Sequence, residues 1–294
     1  MRLCDPDIVL EVDLRNPGQF FACCGALELA GRLWPGSEGW FAGKGSRATF
    51  HIATYSGHND PLAEVVRCLQ SCTIAGLTDE ERRERKRLES EQRKLSKSGQ
   101  ELPEPLKQRR EALGELARKG SVHLDAPFGL ILDWWQYSYD GGDDSELKTW
   151  AGNQGPDGKI NELRNTWRLK TYNVGSKLLA QRIPMQGRLG FDPSASWKAI
   201  DVGFSPDEQG VPVQTSPATE ILAAVGLQRC RPAAVENKRR WFCYRPWHTP
   251  IDIAVAPAVI IGATQPRPVY EFQVVMRNQQ YGSFGWAKPM EESR

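Results

Sequence analysis

The chain lacks any run of apolar residues long enough to cross a membrane. A spanning helix needs about 20 mostly apolar residues, and the best candidate, Ile251 to Ala263, is shorter and contains Asp252 and Pro257. The first residues include Asp5 and Asp7, where a signal peptide has basic and then apolar residues. We therefore expect a cytoplasmic protein that does not interact with a membrane.

Residues that bind metals or catalyse reactions are also scarce. The chain has 4 His and 7 Cys, and no two cysteines have the Cys-x-x-Cys spacing of a zinc site. An odd number of cysteines favours reduced thiols over a disulfide framework. The sequence therefore predicts no metal, no cofactor and no enzymatic activity. The alternative is a metal-dependent nuclease in which Asp192 and Asp201 hold the metal together with a histidine.

A strong helix-start signal lies near the beginning of the chain. Asn16 can cap a helix, Pro17 suits its first position, and Gln19 lies three residues after the cap, as in a capping box. The residues that follow are almost all apolar up to Leu33, apart from the i,i+4 pair of Glu28 and Arg32. We therefore expect a helix that is nearly surrounded by protein.

A second helix with the same pattern begins at Ser216 and Pro217 and stays apolar up to Gly226. The shared pattern suggests a duplicated α/β half, although short buried helices also resemble one another by chance. Gly18, in the first turn of the opening helix, has no side chain. Its position would let either another backbone or a phosphate approach the helix N-terminus.

Hydrophobic periodicity divides the chain into three parts. Residues 1–76 predict the order strand, helix, strand, strand, helix, which is close to a ferredoxin-like order. Residues 77–120 predict a charged helical hairpin inserted into the fold, and residues 121–294 predict a C-terminal α+β part packed on the first. The predicted fold class is α+β with ferredoxin-like (RNA-recognition-motif-like) elements. A single strand is expected in each of the segments 122–135, 239–247, 251–261 and 269–277.

The predicted hairpin consists mainly of charged residues and good helix formers. Between Asp79 and Lys119 there are 13 Lys and Arg residues and 10 Asp and Glu residues. Leu106, Leu113 and Leu116 give the second helix an apolar side. Two interpretations stay open: a solvated spacer or partly disordered linker, or an arm that lies on a partner or along a phosphate backbone.

A basic stretch between Lys159 and Arg188 contains 7 Lys and Arg residues, and Glu162 is its only acidic residue. Solvated surfaces normally mix both signs. Basic side chains neutralise phosphates, amides bind base edges or backbone, and aromatic rings stack on bases. We therefore expect a nucleic-acid-binding surface formed by Asn153, Lys159, Asn161, Arg164, Trp167, Arg168, Lys170, Asn173, Lys177, Arg182 and Arg188.

A second basic stretch, from Arg229 to Arg245, contains 6 Lys and Arg residues and a single acidic residue, Glu236. Two roles are open for it. It could extend the nucleic-acid surface, or it could supply solubilising charge at a sheet edge.

Three separated segments together resemble a known family. They are Asn16-Pro17-Gly18-Gln19-Phe20-Phe21-Ala22-Cys23-Cys24-Gly25, then Gly190-Phe191-Asp192-Pro193 with the residues up to Pro206, and Ser216-Pro217-Ala218 with the residues up to Arg229. In these segments the chain resembles the accessory, large-subunit-like Cascade protein of type I-G (formerly I-U) CRISPR-Cas systems. The charged hairpin lies outside the resemblance.

The resemblance implies a non-catalytic subunit of an RNA-guided surveillance complex for antiviral defence. Its partners would be guide RNA, target DNA, other Cascade subunits and a helicase-nuclease effector. Its role would be to sense the protospacer-adjacent motif and to recruit the nuclease, while base pairing with the guide reads the target sequence. A glycine loop at 281–286 also resembles that of the ferredoxin-like subunits that bind guide RNA, so a backbone-subunit role is the alternative.

Overall fold

The computed structural model describes residues 5–43, 45–136, 145–150, 155–169, 174–185, 188–195, 213–263, 268–276 and 281–290. Within them the fold is α+β, as predicted. None of the helices in this part of the chain is long and apolar enough to span a bilayer. The helices are α1 (Pro17–Leu33), α2 (Pro61–Ser71), α3 (Asp79–Lys97), α4 (Glu104–Lys119), α5 (Pro156–Leu169), α6 (Pro217–Arg229) and α7 (Ala256–Ile261).

The strands are short and form small antiparallel sheets. In chain order they are β1 (Ile8–Asp13), β2 (Glu38–Ala42), β3 (Arg47–Ala53), β4 (Ile74–Ala75), β5 (Val122–Leu124), β6 (Leu130–Leu132), β7 (Ile183–Met185), β8 (Val213–Thr215), β9 (Ala233–Ala234), β10 (Trp241–Tyr244), β11 (Ile251–Asp252), β12 (Tyr270–Met276), β13 (Gly282–Phe284) and β14 (Lys288–Pro289).

Two sheets contain most of the pairing. One has the order β1-β3-β2-β11, and the other has the order β13-β12-β10-β9, with β14 also paired to β12. A third sheet has the order β4-β5-β6, and β7 pairs with β8. All of the strand pairs are antiparallel.

Helices α1 and α6 form the centre of the fold and pack directly on each other. At their contact, a Cβ atom on Gly25 would overlap the carbonyl oxygen of Leu222, and one on Gly226 would overlap the carbonyl oxygen of Phe21. Only glycine lets the two backbones approach this closely. Both helices are buried on every side along most of their length, as the apolar sequences predict.

Aromatic rings connect α1 to both large sheets. Phe20 stacks on Tyr244 of β10 with ring centroids 4.2 Å apart and lies 5.3 Å from Phe41 of β2. Phe21 lies 5.6 Å from Tyr244 and 6.3 Å from Phe272 of β12. The opening helix therefore contacts both large sheets through two neighbouring aromatic residues.

The predicted helix starts are confirmed. Asn16 and Ser216 cap α1 and α6 with nearly identical backbone angles, φ −95° and ψ 100° against φ −96° and ψ 100°. Each side chain accepts a hydrogen bond from the backbone amide three residues later, and proline follows each cap. Asp60 and Thr78 cap α2 and α3 in the same way.

Three local predictions are wrong. The segment 251–261 is a two-residue strand followed by α7, because alternation cannot separate a short buried helix from a strand. The segment 122–135 contains the antiparallel pair β5 and β6 instead of one strand. Leu116, expected on the apolar side of the second hairpin helix, is 44% exposed, whereas its neighbour Ala117 is buried.

The charged hairpin consists of α3 and α4, which pack on each other. It is inserted between β4 and β5, whose residues Ala75 and His123 are paired neighbours. Leu88 and Leu113 are buried inside the hairpin but lie outside the main hydrophobic core. The hairpin is thus a long insertion between two paired strands, and it has a small apolar interface of its own between α3 and α4.

Replacing Gly25 with alanine should destabilise the protein by about 3 kcal/mol or more, because two helix backbones would have to separate. Gly114 of α4 is the matched control, since a Cβ there meets no atom within 4 Å. Gly114→Ala should stabilise the protein by about 0.5–1 kcal/mol through helix propensity. Urea unfolding of both variants measures the difference, and equal midpoints would contradict the close contact.

Candidate nucleic-acid interface

Helix α5 carries several residues of the predicted nucleic-acid surface, in different environments. Arg168 is exposed and Lys159 is half-buried. Trp167 is 0% exposed and belongs to the hydrophobic core. The prediction that its ring stacks on a base is incompatible with this burial, because neither face of the indole is accessible. Helical periodicity places Trp167 on the inner side of α5, next to Leu163 and Ile160.

Asn161 and Arg164 hold α5 against the end of α2 and the following strand. The Asn161 Nδ2 atom donates to the carbonyl oxygens of Ile74 at 2.8 Å and Asp157 at 2.9 Å. Arg164 donates to the carbonyl oxygen of Cys72 and, at 2.8 Å, to Asn161 Oδ1. Partial burial lowers the pKa of Arg164 from its ordinary value. Both side chains are therefore occupied with tertiary contacts.

Lys177 and Arg182 are exposed on either side of a short buried segment. Between them, Leu178 and Leu179 are both 0% exposed and belong to the core. The buried pair anchors the chain on the body of the protein. The two basic side chains therefore project from a well-supported surface.

The first turns of the two central helices hold this segment. The carbonyl oxygen of Leu179 accepts hydrogen bonds from Gln19 Nε2 at 3.5 Å and Thr219 Oγ1 at 2.8 Å. On the other side, the Glu11 amide donates to the carbonyl oxygen of Ser176 at 2.7 Å, so the segment also pairs with the outer edge of β1.

Four predicted residues remain. Arg188 is half-buried. Asn153, Lys170 and Asn173 lie outside the described residues.

In the second basic stretch, several cations are matched by acidic partners. Arg229 Nε lies 2.5 Å from Glu28 Oε2, and this hydrogen bond raises the pKa of Arg229. Glu28 is only 2% exposed and also binds Arg32 at 2.9 Å, as the i,i+4 spacing predicts. Further ion pairs join Lys238 to Glu271 and Arg239 to Glu146. These ion pairs favour a structural role for the second basic stretch over an extension of the nucleic-acid surface.

The three segments that carry the family resemblance meet at one place, which we call the cap junction and define as Asn16, Gly18, residues 189–192 and Glu220. Asn16 Nδ2 donates to Asp192 Oδ1 at 2.8 Å, while Asn16 Oδ1 caps α1. A Cβ on Gly18 would lie 2.5 Å from the carbonyl oxygen of Phe191. Of the two approaches left open for Gly18, another backbone is therefore the one observed.

Glu220 binds the other side of the cap junction. Its carboxylate is 0% exposed and accepts hydrogen bonds from four consecutive backbone amides. Oε2 accepts from Leu189 at 2.9 Å, Gly190 at 2.8 Å and Phe191 at 3.3 Å, and Oε1 accepts from Asp192 at 3.1 Å. The loop is thus wrapped around one buried acid of α6.

Burial raises the pKa of Glu220 to about 7, and the nearby Asp192 adds to the effect, although the backbone hydrogen bonds oppose it. Sequence reasoning missed this residue because it concentrated on the apolar positions of α6. The available signal was a single acidic residue near the capped start of an otherwise apolar helix, where amides of the first turn favour negative charge.

The nuclease alternative receives no support from the described geometry. Asp192 is 0% exposed, and its Oδ1 is shared between Asn16 and Ser194. Asp201 lies outside the described residues. Among the residues that are described, no group of three His, Cys, Asp or Glu side chains is placed to hold a metal ion.

Stability should depend on pH through Glu220. The pKa is about 4.3 in an unfolded chain and about 7 in the fold, so the unfolded state loses this proton first as pH rises. The stabilising contribution is therefore complete below about pH 4.3 and declines up to about pH 7. Relative to Glu220→Gln, the wild type should gain about 2–3 kcal/mol of unfolding free energy from pH 7.5 to pH 5.

Urea unfolding at several pH values measures this difference. Glu236→Gln removes an exposed carboxylate by the same chemical change and serves as the matched control, and its profile should run parallel to that of the wild type. Parallel profiles for wild type and Glu220→Gln would show that the buried acid does not titrate in this range.

No protein family model, no curated protein and no solved structure matches this chain. The functional argument accordingly rests on the residues of the chain itself. These are the exposed cations at Arg168, Lys177 and Arg182 and the cap junction.

Proposed function

We propose that the chain is a non-catalytic subunit of an RNA-guided CRISPR-Cas surveillance complex of the type I-G class. In this proposal it binds target DNA or guide RNA and takes the large-subunit role: it senses the protospacer-adjacent motif and recruits a helicase-nuclease. Base pairing would supply the sequence specificity, so the subunit needs basic surface and shape recognition more than catalytic groups.

The observation that carries the proposal is the cap junction. The resemblance rests on three segments that are far apart in the sequence, and Asn16, Phe191 and Glu220 from these segments come together in one buried unit. Chance similarity in short pieces gives no reason for the pieces to meet. Because the three segments pack together in this chain, their combined similarity supports the resemblance to the family.

The nucleic-acid contact in this proposal involves Arg168, Lys177 and Arg182, which are exposed. Phosphate contacts supply most of the affinity of such surfaces and need only accessible positive charge. Lys177 and Arg182 flank a segment that Gln19 and Thr219 hold. Their positions therefore depend on the first turns of the two central helices, next to the residues that α1 and α6 contribute to the cap junction.

The alternative role of a guide-RNA-binding backbone subunit draws on the first sheet. Strands β1, β2 and β3 with α1 have the antiparallel order β1-β3-β2, as in one half of a ferredoxin-like fold. After α2, however, β4 pairs with β5 instead of joining β1. We therefore propose ferredoxin-like elements for residues 8–53 and retain the large-subunit role as the main proposal.

The composition of the native complex tests the function. Affinity purification of the tagged chain from its own cells should recover other protein subunits together with RNA of uniform length that contains a repeat-derived segment. Sequencing of that RNA identifies the class directly. Recovery of the chain alone, or with heterogeneous RNA only, would contradict the proposal.

The binding surface has its own test in the assembled complex. Changing Arg168, Lys177 and Arg182 to alanine should weaken target-DNA binding and reduce the slope of log affinity against log salt by about 0.9 for each phosphate that is no longer neutralised. The matched control changes three exposed cations elsewhere, Arg47, Arg239 and Lys288, to alanine and removes the same charge. Equally weakened binding by both variants would show a general charge effect without a defined surface.

A further inference from the structure

One side of α3 in the charged hairpin consists almost entirely of cations. At about 100° per residue, six basic residues fall within a sector of about 120°. The acidic position in this sector is Asp79, the first residue of the helix. Ser90 is the single neutral residue in the sector, and all seven side chains are exposed. The members of this cationic face are Arg83, Lys86, Arg87, Ser90, Arg93, Lys94 and Lys97.

The cationic face points away from the rest of the hairpin. The opposite side of α3 carries Leu88, which is fully buried, and the half-buried residues Arg85, Gln92 and Leu95 at heptad spacing. These positions are centred about 180° from the cationic face. Because this buried side of α3 packs on α4, the cations on the opposite side are directed outward.

Two acids of α3 have partners away from the cationic face. Glu84 binds Arg109 of α4 with an oxygen–nitrogen distance of 2.9 Å, which lowers the pKa of Glu84. Glu81 closes a capping box with Thr78 at the start of α3. Among the described side chains, no carboxylate lies within ion-pair distance of the cationic face.

We propose that the cationic face of α3 binds the phosphate backbone of double-stranded nucleic acid without reading its sequence. We infer this partner from charge complementarity between the cations of the face and anionic phosphates. A face of Lys and Arg with a single serine has no amide to bind adenine and no aromatic ring to stack on the bases of a single strand. Its cations need only phosphates as partners. Binding should therefore be independent of sequence and should favour duplex over single strand.

The composition of the face argues against the other partners. Protein interfaces have cores that are depleted of lysine and enriched in aromatic residues, and amphipathic helices that bind membranes insert apolar side chains. The cationic face has neither feature. It extends about 21 Å from Arg83 to Lys97, long enough to follow several phosphates, since duplex DNA carries one charge per about 1.7 Å of axis.

The inference is separate from the proposed function, because it uses neither the family resemblance nor the residues 159–188. It also decides between the two interpretations that the sequence leaves open for the hairpin. The exposed sides of a solvated spacer would carry both positive and negative residues. A cationic face on a packed pair of helices fits better with an arm that lies along a phosphate backbone.

Fluorescence anisotropy with the full chain tests the inference. The probes are a labelled 25-base-pair DNA duplex of arbitrary sequence, the corresponding single strand, and poly-L-glutamate as a polyanion without phosphate. The test variant changes Arg83, Lys86 and Lys94 to glutamine, which preserves helix propensity. The charge control changes Arg47, Arg239 and Lys288 to glutamine. A second control preserves the charge of the face through the substitutions Arg83→Lys, Lys86→Arg and Lys94→Arg.

The test variant should bind the duplex about tenfold or more weakly at about 100 mM salt, with a log–log salt slope smaller by about two to three. The charge-preserving exchange should bind like the wild type, and the charge control should stay within about threefold of it. Circular dichroism checks that the helical content is unchanged.

Equal duplex affinity for the test variant and the charge control would overturn the inference. Tighter binding of poly-L-glutamate than of the duplex would identify an acidic protein as the partner instead, and tighter binding of the single strand would overturn the duplex assignment. None of these outcomes bears on whether guide RNA accompanies the native complex, so the two proposals fail separately.

Discussion

The close contact between α1 and α6 is the constraint on which the rest of the structure depends. Gly25 and Gly226 let the helix backbones touch, and any side chain at either position would force them apart. The N-terminal turns of both helices also lie next to one segment of the chain, Leu178–Ala180. Gln19 and Thr219 then bind one shared carbonyl oxygen, that of Leu179.

Two adjacent helix starts create a local excess of positive potential and of unpaired amide groups. The protein places two acidic side chains beside them, Asp192 against the cap of α1 and Glu220 in α6. Glu220 in turn collects four amides of the loop at 189–192, which would otherwise be buried without partners. The arrangement explains why glycine, aspartate and capping residues recur in the segments that carry the family resemblance.

Local signals in the sequence predicted the local structure well, because a cap needs only its own neighbours. Asn16 and Ser216 therefore mark helix starts correctly. Features that depend on distant residues could not be predicted in the same way. The role of Gly25 requires a helix some 200 residues later, and the burial of Trp167 depends on which side of α5 meets the core.

The same reasoning separates the two basic regions. In the stretch 159–188, the density of basic residues overstates the accessible charge, because Arg164 binds a backbone carbonyl group and both Lys159 and Arg188 are half-buried. In α3 the numbers of basic and acidic residues are nearly equal. One side is distinctive only because the basic residues cluster there and the acidic residues lie mainly on the other sides of the helix. Since a ligand meets a surface and not a sequence, sorting by helical face is the better guide to where phosphates can bind.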